Sequence, residues 1–288
     1  MSNDVQQKKA VLITGCSSGI GLCAAQQLQQ CGYRVFATAR KSEDVEKLAA
    51  LGLESLSLDL DDSASINTAV DEILTRTDGQ LFGLFNNAAF GQPGAVEDLR
   101  RDVMRRQFET NVFGTLELTN RIIPVMRRQG FGRIVQNSSV LGLVAMPYRG
   151  AYNASKFALE GLTDTLRLEL MGTGIHVSLI EPGPIQSRFR ANAFALYQQN
   201  IDRDQSVHRE RYLGMENRLT KPGPTAPFTL QPEAVVAKLR HALASPRPRV
   251  RYYVTVPTRF FAILRMLLPY CALDWVLSRA AGHENRRP

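Results

Sequence analysis

"AVLITGCSSGIGLCAAQQLQQ", residues 10–30, is the stretch on which the fold turns. Its first residues are a short apolar run ending in glycine, the length of a buried strand. A helical pattern follows to about residue 31. Between the two, Gly15, Gly19 and Gly21 are spaced GxxxGxG. Glycine permits a tight turn and lets a ligand come close to the backbone. The helix behind it aims unpaired N–H groups and a positive dipole end at the turn, which suits a pyrophosphate. A plain strand-to-helix connection can look the same, so the rest of the chain has to decide.

The rest repeats the pattern. "YRVFATAR", "LESLSLDL", "LFGLFNNAA", "GRIVQNSS", "IHVSLIEPG" and "RVRYYVTV" read as further strands. "ASINTAVDEILTRT", a long helix over residues 103–129, the segment holding Tyr152 and "QPEAVVAKLRHALAS" read as helices between them. Strand–helix alternation implies right-handed crossovers and an α/β fold, a doubly wound parallel sheet of about seven strands with helices on both faces. The domain is expected to span residues 1–256. Residues 184–230, rich in Pro, Gln and Asn with little strand pattern, are a long excursion of the kind that forms lids. Residues 257–288 are a basic, amphipathic helical extension.

Composition narrows the classes. The 288 residues are 44% hydrophobic and 22% charged, ordinary for a globular protein. Cys16, Cys23, Cys31 and Cys271 form no CxxC pair or Cys/His cluster, so no metal site is expected and the thiols read as reduced, in a cytoplasmic protein. No long apolar stretch precedes the first strand and no run is long enough to span a bilayer, so neither a signal peptide nor a membrane span is expected. The net charge of +8 is uneven: residues 246–288 hold eight arginines and two acids, leaving little excess elsewhere. No nucleic-acid-binding module accompanies that charge, so no nucleic-acid partner is expected.

Three features carry chemistry. The second strand ends "ATARK", placing Arg40, with Lys41 beside it, where a dinucleotide fold can put an acid for a ribose hydroxyl. A cation there favours the 2′-phosphate of NADP over NAD, although a cation pair at a strand end is also a common solvated feature. In "YNASK", Tyr152 and Lys156 are helical neighbours at i, i+4. A phenol titrates near ~10, and an adjacent cation lowers that value toward the range of a useful acid and base. Taken alone such a pair is usually surface decoration. Ser139 stands at the carboxyl end of the fifth strand, where open α/β sheets bind ligands, and Asn111 is a polar residue within an apolar helical pattern.

Read in order, "TGCSSGIG", Asp59, "NNAA" (86–89), Asn111, Ser139, "YNASK" and "PGP" (182–184) strongly resemble the motifs of the short-chain dehydrogenase/reductases. They cover about residues 9–190, and the separation of 13 residues between Ser139 and Tyr152 fits. The flavour is similar to the hydroxysteroid and retinol dehydrogenase branch, especially to bacterial NADP-dependent aldehyde-reductase-like members. The resemblance implies a Rossmann fold and an enzyme. Tyr152 would be the proton donor, Lys156 would lower its pKa and hold the nicotinamide ribose, Ser139 would polarise the carbonyl, and Asn111 would hold a relay water. NADPH would be held by Gly15, Ser17, Ser18, Gly19, Ile20 and Gly21, by Arg40 and Lys41, and by Asp59 and Leu60 at the adenine. Asn87, Ala88 and Ala89 would lie at its ribose, and Pro182, Gly183 and Ile185 at the nicotinamide. Ala89 departs from the family's glycine, which puts the fine cofactor contacts in question. Ser187 replaces a common threonine but keeps the hydroxyl.

The resemblance also implies that the excursion covers the substrate. Phe189, Phe194, Leu196 and Tyr197 offer an apolar wall, and Met146, Pro147 and Tyr148 can face the same pocket; the alternative is that they pack on the protein itself. The expected reaction is NADPH-dependent reduction of apolar aldehydes or ketones; the alternative is a non-catalytic NADP-binding sensor or scaffold. A homodimer through the helices around 103–129 and 151–171 is expected from family habit. In the tail, Phe260, Phe261, Ile263, Leu264, Leu267 and Leu268 read as one helical stripe, to dock on the core or a partner subunit, or to lie peripherally on an anionic membrane.

Overall fold

The structure is a computed structural model that describes residues 8–224 and 226–281. The ends of the expected domain and extension, 1–7 and 282–288, lie outside the described residues. Seven parallel strands, β1 (Ala10–Ile13), β2 (Arg34–Ala39), β3 (Glu54–Ser57), β4 (Gly83–Asn86), β5 (Gly132–Asn137), β6 (Ile175–Glu181) and β7 (Arg251–Tyr253), form one sheet in the order β3-β2-β1-β4-β5-β6-β7. Between them run α1 (Gly19–Gln30), α2 (Ser42–Ala50), α3 (Ser63–Arg76), α4 (Arg101–Phe108), α5 (Thr115–Gln129) and α6 (Gly150–Glu169). Then come α7 (Phe189–Asn200), α8 (Arg209–Thr220), α9 (Glu233–Ala244), α10 (Val256–Leu267) and α11 (Tyr270–Ala280).

Alternation along a strand decides which face each side chain meets. In β1, Val11 and Ile13 join Ala24 and Leu28 of α1, Leu48 of α2 and Leu239 of α9 in one apolar layer. Ala10 and Leu12 join Ile66 and Ile73 of α3, Leu118 and Met126 of α5 and Leu170 in the other. Burial on both faces is why these strands are near-continuous apolar runs. The order reverses between β1 and β4, so the crevice at the carboxyl ends of β1, β4 and β5 is the place where such sheets bind ligands.

Four segments differ from the sequence pattern. Ser42–Ala50, given no element by periodicity, is α2, which buries only Leu48 and so shows little apolar repeat. The long helix over 103–129 is interrupted by a π-helical segment, Glu109–Gly114, that holds Asn111. The excursion contains two helices, α7 and α8, whose Tyr197, Tyr212, Met215 and Leu219 form a small core of their own with Ala95 and Tyr148. Its base is closed by a bridge between Ile185 and Leu230. The tail is two helices, because Pro269 cannot continue α10, and the expected stripe lies on the first of them. Phe261, Leu273 and Leu277 pack against Val140 and Val144, just beyond β5.

Candidate active site

Ser139, Tyr152 and Lys156 come together at the carboxyl end of β5. Ser139 begins a short 3-10 turn, Val140–Gly142, and its hydroxyl accepts from the Leu141 N–H at 3.1 Å. The same hydroxyl faces the Tyr152 phenol and pulls its pKa down. Lys156, buried one turn further along α6, puts its ammonium 5.7 Å from the centre of the Tyr152 ring. That ammonium donates to the Asn137 carbonyl at 2.7 Å.

Burial sets the titration of both groups. It pushes the Tyr152 phenol up to about 12, against the smaller downward pull of the Ser139 hydrogen bond. It pushes the Lys156 ammonium down to about 8, partly offset by the Glu160 carboxylate. In the protein alone, then, the cation does not win over desolvation at the phenol, contrary to the expectation from helical spacing. Tyr152 is held as a proton donor throughout the physiological range, and it is Lys156 that titrates near neutrality. For reduction, kcat/KM is therefore expected to be level below pH ~8 and to fall above it, by up to tenfold per unit, as Lys156 loses its charge. A pH profile checks this. Lys156→Arg should move the fall upward, and an unmoved break would assign it elsewhere.

Asn111 fixes a neighbouring loop. Its Oδ1 accepts from the Phe90 N–H at 3.1 Å, and its Nδ2 donates to the Phe90 carbonyl at 2.9 Å and to Ser155 Oγ of α6 at 3.1 Å. The π turn gives the extra residue that lets this side chain face the site rather than continue the helical stripe. In the same place Gly114 lies against the Leu60 carbonyl, where a Cβ would come within 1.9 Å.

The glycine turn is built as a cradle. Gly15, at φ +71, lies on Ala88, where a Cβ would sit 2.8 Å from Cα. Gly21 lets α1 press on the turn: a Cβ there would be 2.2 Å from the Gly15 carbonyl. Ser17, Ser18, Gly19 and Ile20 lie at the start of α1, whose first turn has no acid and no side-chain cap. Those unneutralised N–H groups, beside a backbone kept bare of side chains, fit the pyrophosphate of a dinucleotide. Asn87 ties the cradle to the sheet. Its Nδ2 donates to the Thr14 and Gly15 carbonyls at 3.0 and 3.2 Å, and its Oδ1 accepts from Asn137 at 2.9 Å. Ala88 donates its N–H to Thr14 Oγ1 at 2.9 Å.

Arg40 and Lys41 are exposed at the end of β2, and neither side chain has a hydrogen-bond or ion-pair partner among the described residues. Asp59 and Leu60 follow β3, with Asp59 Oδ1 accepting from the Asp61 N–H at 3.1 Å. Ala89 does not have a positive φ, so a side chain there carries no backbone strain. Pro182 accepts from the Val140 N–H at 2.8 Å. Gly183 fits under Thr255, whose Oγ1 would lie 2.1 Å from a Cβ, and Ile185 begins the excursion at its closing bridge.

Of the apolar wall, Phe189 reaches the chemistry: its ring sits edge-on to Tyr152 at 5.3 Å between centroids and lies against Gly91. Tyr197 and Tyr148 are buried in the excursion's own core, and Met146 joins the cluster under the C-terminal helices. Thr14, Asn137 and Ser155 are supporting residues that sequence motifs do not single out; Asn137 lies in "QNSS", two residues before Ser139, which was the available signal. Behind Lys156, Arg251 of β7 bonds Glu160 at 2.5 Å, Glu181 at 2.6 Å and Asp164 at 2.5 Å. Burial, with Glu160 beside it, pushes Glu181 up to about 8.

Residues 9–197 match the family model described as short chain dehydrogenase. The uncharacterized oxidoreductase YbbO of Escherichia coli is 46% identical over 270 residues, 94% of each chain. Human 17-beta-hydroxysteroid dehydrogenase type 1 is 36% identical over 276 residues, 91% of this chain and 81% of that one. Among solved structures, an actinorhodin polyketide ketoreductase with NADPH superposes with a TM-score of 0.71 at 27% identity, over 87% of this chain and 97% of the other.

Proposed function

The chain belongs to the short-chain dehydrogenase family, and on that premise we propose that it is an NADPH-dependent oxidoreductase that reduces apolar aldehydes or ketones to alcohols. The observation that carries this is Tyr152 set between the Ser139 hydroxyl and buried Lys156, with the Phe189 ring against the phenol. Phe189 favours a hydrocarbon neighbour over a sugar.

When bound, NADPH supplies a hydride to the carbonyl carbon. The protein does the rest. Ser139 Oγ donates to the carbonyl oxygen, polarising and orienting it. Tyr152, kept protonated by burial, gives its proton to that oxygen as negative charge develops there. The charged Lys156 stabilises the phenolate left behind. Asn111, bonded to Ser155, the residue next to Lys156, stands where a relay from solvent can restore the proton. Gly15, Gly19 and Gly21 with the start of α1 would hold the pyrophosphate, and Lys156 the nicotinamide ribose. Arg40 and Lys41 would take the 2′-phosphate: both are uncommitted, and no acid stands at that strand end for a ribose hydroxyl. Pairing of two copies through α5 and α6 belongs to the same proposal, in line with the open apolar side chains Phe113, in the π segment leading into α5, and Leu168 on α6.

The test is NADPH oxidation against aliphatic, aromatic, retinoid and steroid carbonyls, with NADH in parallel. Turnover of an apolar carbonyl with NADPH is expected. Tight NADPH binding without turnover would favour a sensor, and absence of binding would sink the cofactor assignment. Arg40→Asp is expected to lower the NADPH-to-NADH ratio of kcat/KM by about 10–100-fold, the range of a lost charged hydrogen bond. An unchanged ratio would remove Arg40 from the 2′-phosphate.

A further inference from the structure

We infer that the outer face of α10, continued by α11, docks on the surface of an anionic lipid bilayer. The helix is apolar on two opposite sides. Phe261 and Ala262 are buried toward the body, with Leu264 and Leu268 packed beside them on Val140 and Val144. Val256, Phe260, Ile263 and Leu267, at i, i+4, i+7 and i+11, make a second stripe on the other side. That stripe is open to solvent, from 50% at Ile263 to 73% at Leu267. Met266 and Tyr270, 83% exposed, prolong it, and α11 adds the exposed Trp275. Single exposed apolar residues need no explanation, but a contiguous helical face does.

The charge around this face selects its occupant. Between 254 and 281 the charged residues are Arg259, Arg265, Arg279 and a single acid, Asp274. The Arg279 guanidinium lies over the Trp275 ring, 3.9 Å from its centre, a cation held on an aromatic face. Arg265 turns back to the body, donating to the Leu143 carbonyl. An apolar face bearing Trp and Tyr and edged by arginines is suited to the boundary between lipid headgroups and acyl chains. A second copy fits less well. A twofold contact would set the arginines against themselves. The 12 residues of α10 and 11 of α11 together also offer a strip only roughly 35 Å by 10 Å, against the ~800 Å² per partner of a stable protein interface. No helix among the described residues is long and apolar enough to cross a membrane, so the face lies on the bilayer.

The inner side of α10 rests on the turn that follows Ser139, and Thr255 and Thr258 lie against Gly183. If the substrate is the apolar carbonyl proposed above, the bilayer that holds such a compound would be brought beside the site; lipid binding itself does not depend on that reading.

The experiment is co-sedimentation of the full chain with vesicles of phosphatidylcholine alone and with phosphatidylglycerol added. Binding only to the anionic vesicles, weakened by salt, is expected. Phe260→Ser, Ile263→Ser and Leu267→Ser together should lower the partition coefficient by at least about tenfold. These three side chains face solvent, so the variant should keep the melting temperature of the parent. Arg259→Glu with Arg279→Glu should weaken binding without touching the stripe. Failure of the intact chain to bind anionic vesicles, or equal binding by the triple Ser variant, would overturn the inference. So would a change of oligomeric state in that variant by light scattering, which would assign the face to a second copy. None of these readouts uses catalytic activity, so failure of the reductase proposal would leave them unaffected.

Discussion

Tyr152→Phe lowers the rate of carbonyl reduction by about 10²–10⁴-fold, the usual contribution of a positioned general acid, while NADPH affinity stays within a few-fold. The substitution removes one oxygen. The ring remains, so the edge contact with Phe189 and the packing over Lys156 persist and the fold is undisturbed. Ser139 still reaches the carbonyl oxygen but is a far weaker acid, and Lys156 is engaged with the Asn137 carbonyl. The developing alkoxide then has to find its proton in water. Single-turnover NADPH oxidation checks the chemical step, and cofactor fluorescence checks binding. If the variant turned over at a tenth of the normal rate or better, Tyr152 would not be the proton donor. If affinity fell in parallel with rate, the residue would be structural.

Arg251→Met destabilises the protein by about 3–5 kcal/mol, the range seen when one partner of a buried ion pair is deleted. Its guanidinium meets three carboxylates, from Glu160, Asp164 and Glu181, and Glu181 has no exposed side-chain area. Methionine keeps much of the volume but leaves two nearly buried acids facing each other. One of them would take up a proton, so the loss should be larger at pH 8 than at pH 6. The sign follows from Glu181, raised to about 8 in the folded state even with the arginine present: its buried neutral form is tolerated, its buried unpaired anion is not. At ~2–4 °C per kcal/mol for a chain of this size, the melting temperature should drop by about 6–20 °C. A drop of less than 2 °C would show that the network is solvated.

Residues that act within one turn or one strand were legible. The i, i+4 spacing set Tyr152 beside Lys156 on α6, and the spacing of Gly15, Gly19 and Gly21 matched a turn that their positions in the structure require. The unbroken apolar run of Val11, Leu12 and Ile13 already read as a buried strand, and strand–helix alternation as a sheet covered on two sides. The π turn at Asn111 was not legible, because one extra residue per turn leaves no separate mark on a helical pattern. The two helices of the excursion were hidden in the same way. They bury a few scattered tyrosines and Met215 in a small core, and most of their surface is polar. Periodicity also put Phe260, Phe261, Ile263 and Leu264 on one stripe. Only packing against Val140 and Val144 separates the inner pair from the outer one.

The sequence by itself determined the seven strands and most of the helices between them, the bare glycine turn at the head of α1, and the placing of Tyr152 and Lys156 on one helical face. Each depends on neighbours a few residues apart, whose relative directions are set by the periods of helix and strand. Tertiary structure alone decided the direction in which Tyr152 and Lys156 titrate. It also decided that Arg251 would sit 91 residues from Glu160 in the chain and 2.5 Å from it in space. The physical reason is exclusion of water. Desolvation and the strength of a buried charge pair depend on which segments close over a site, and that is a property of the assembled sheet rather than of any local stretch.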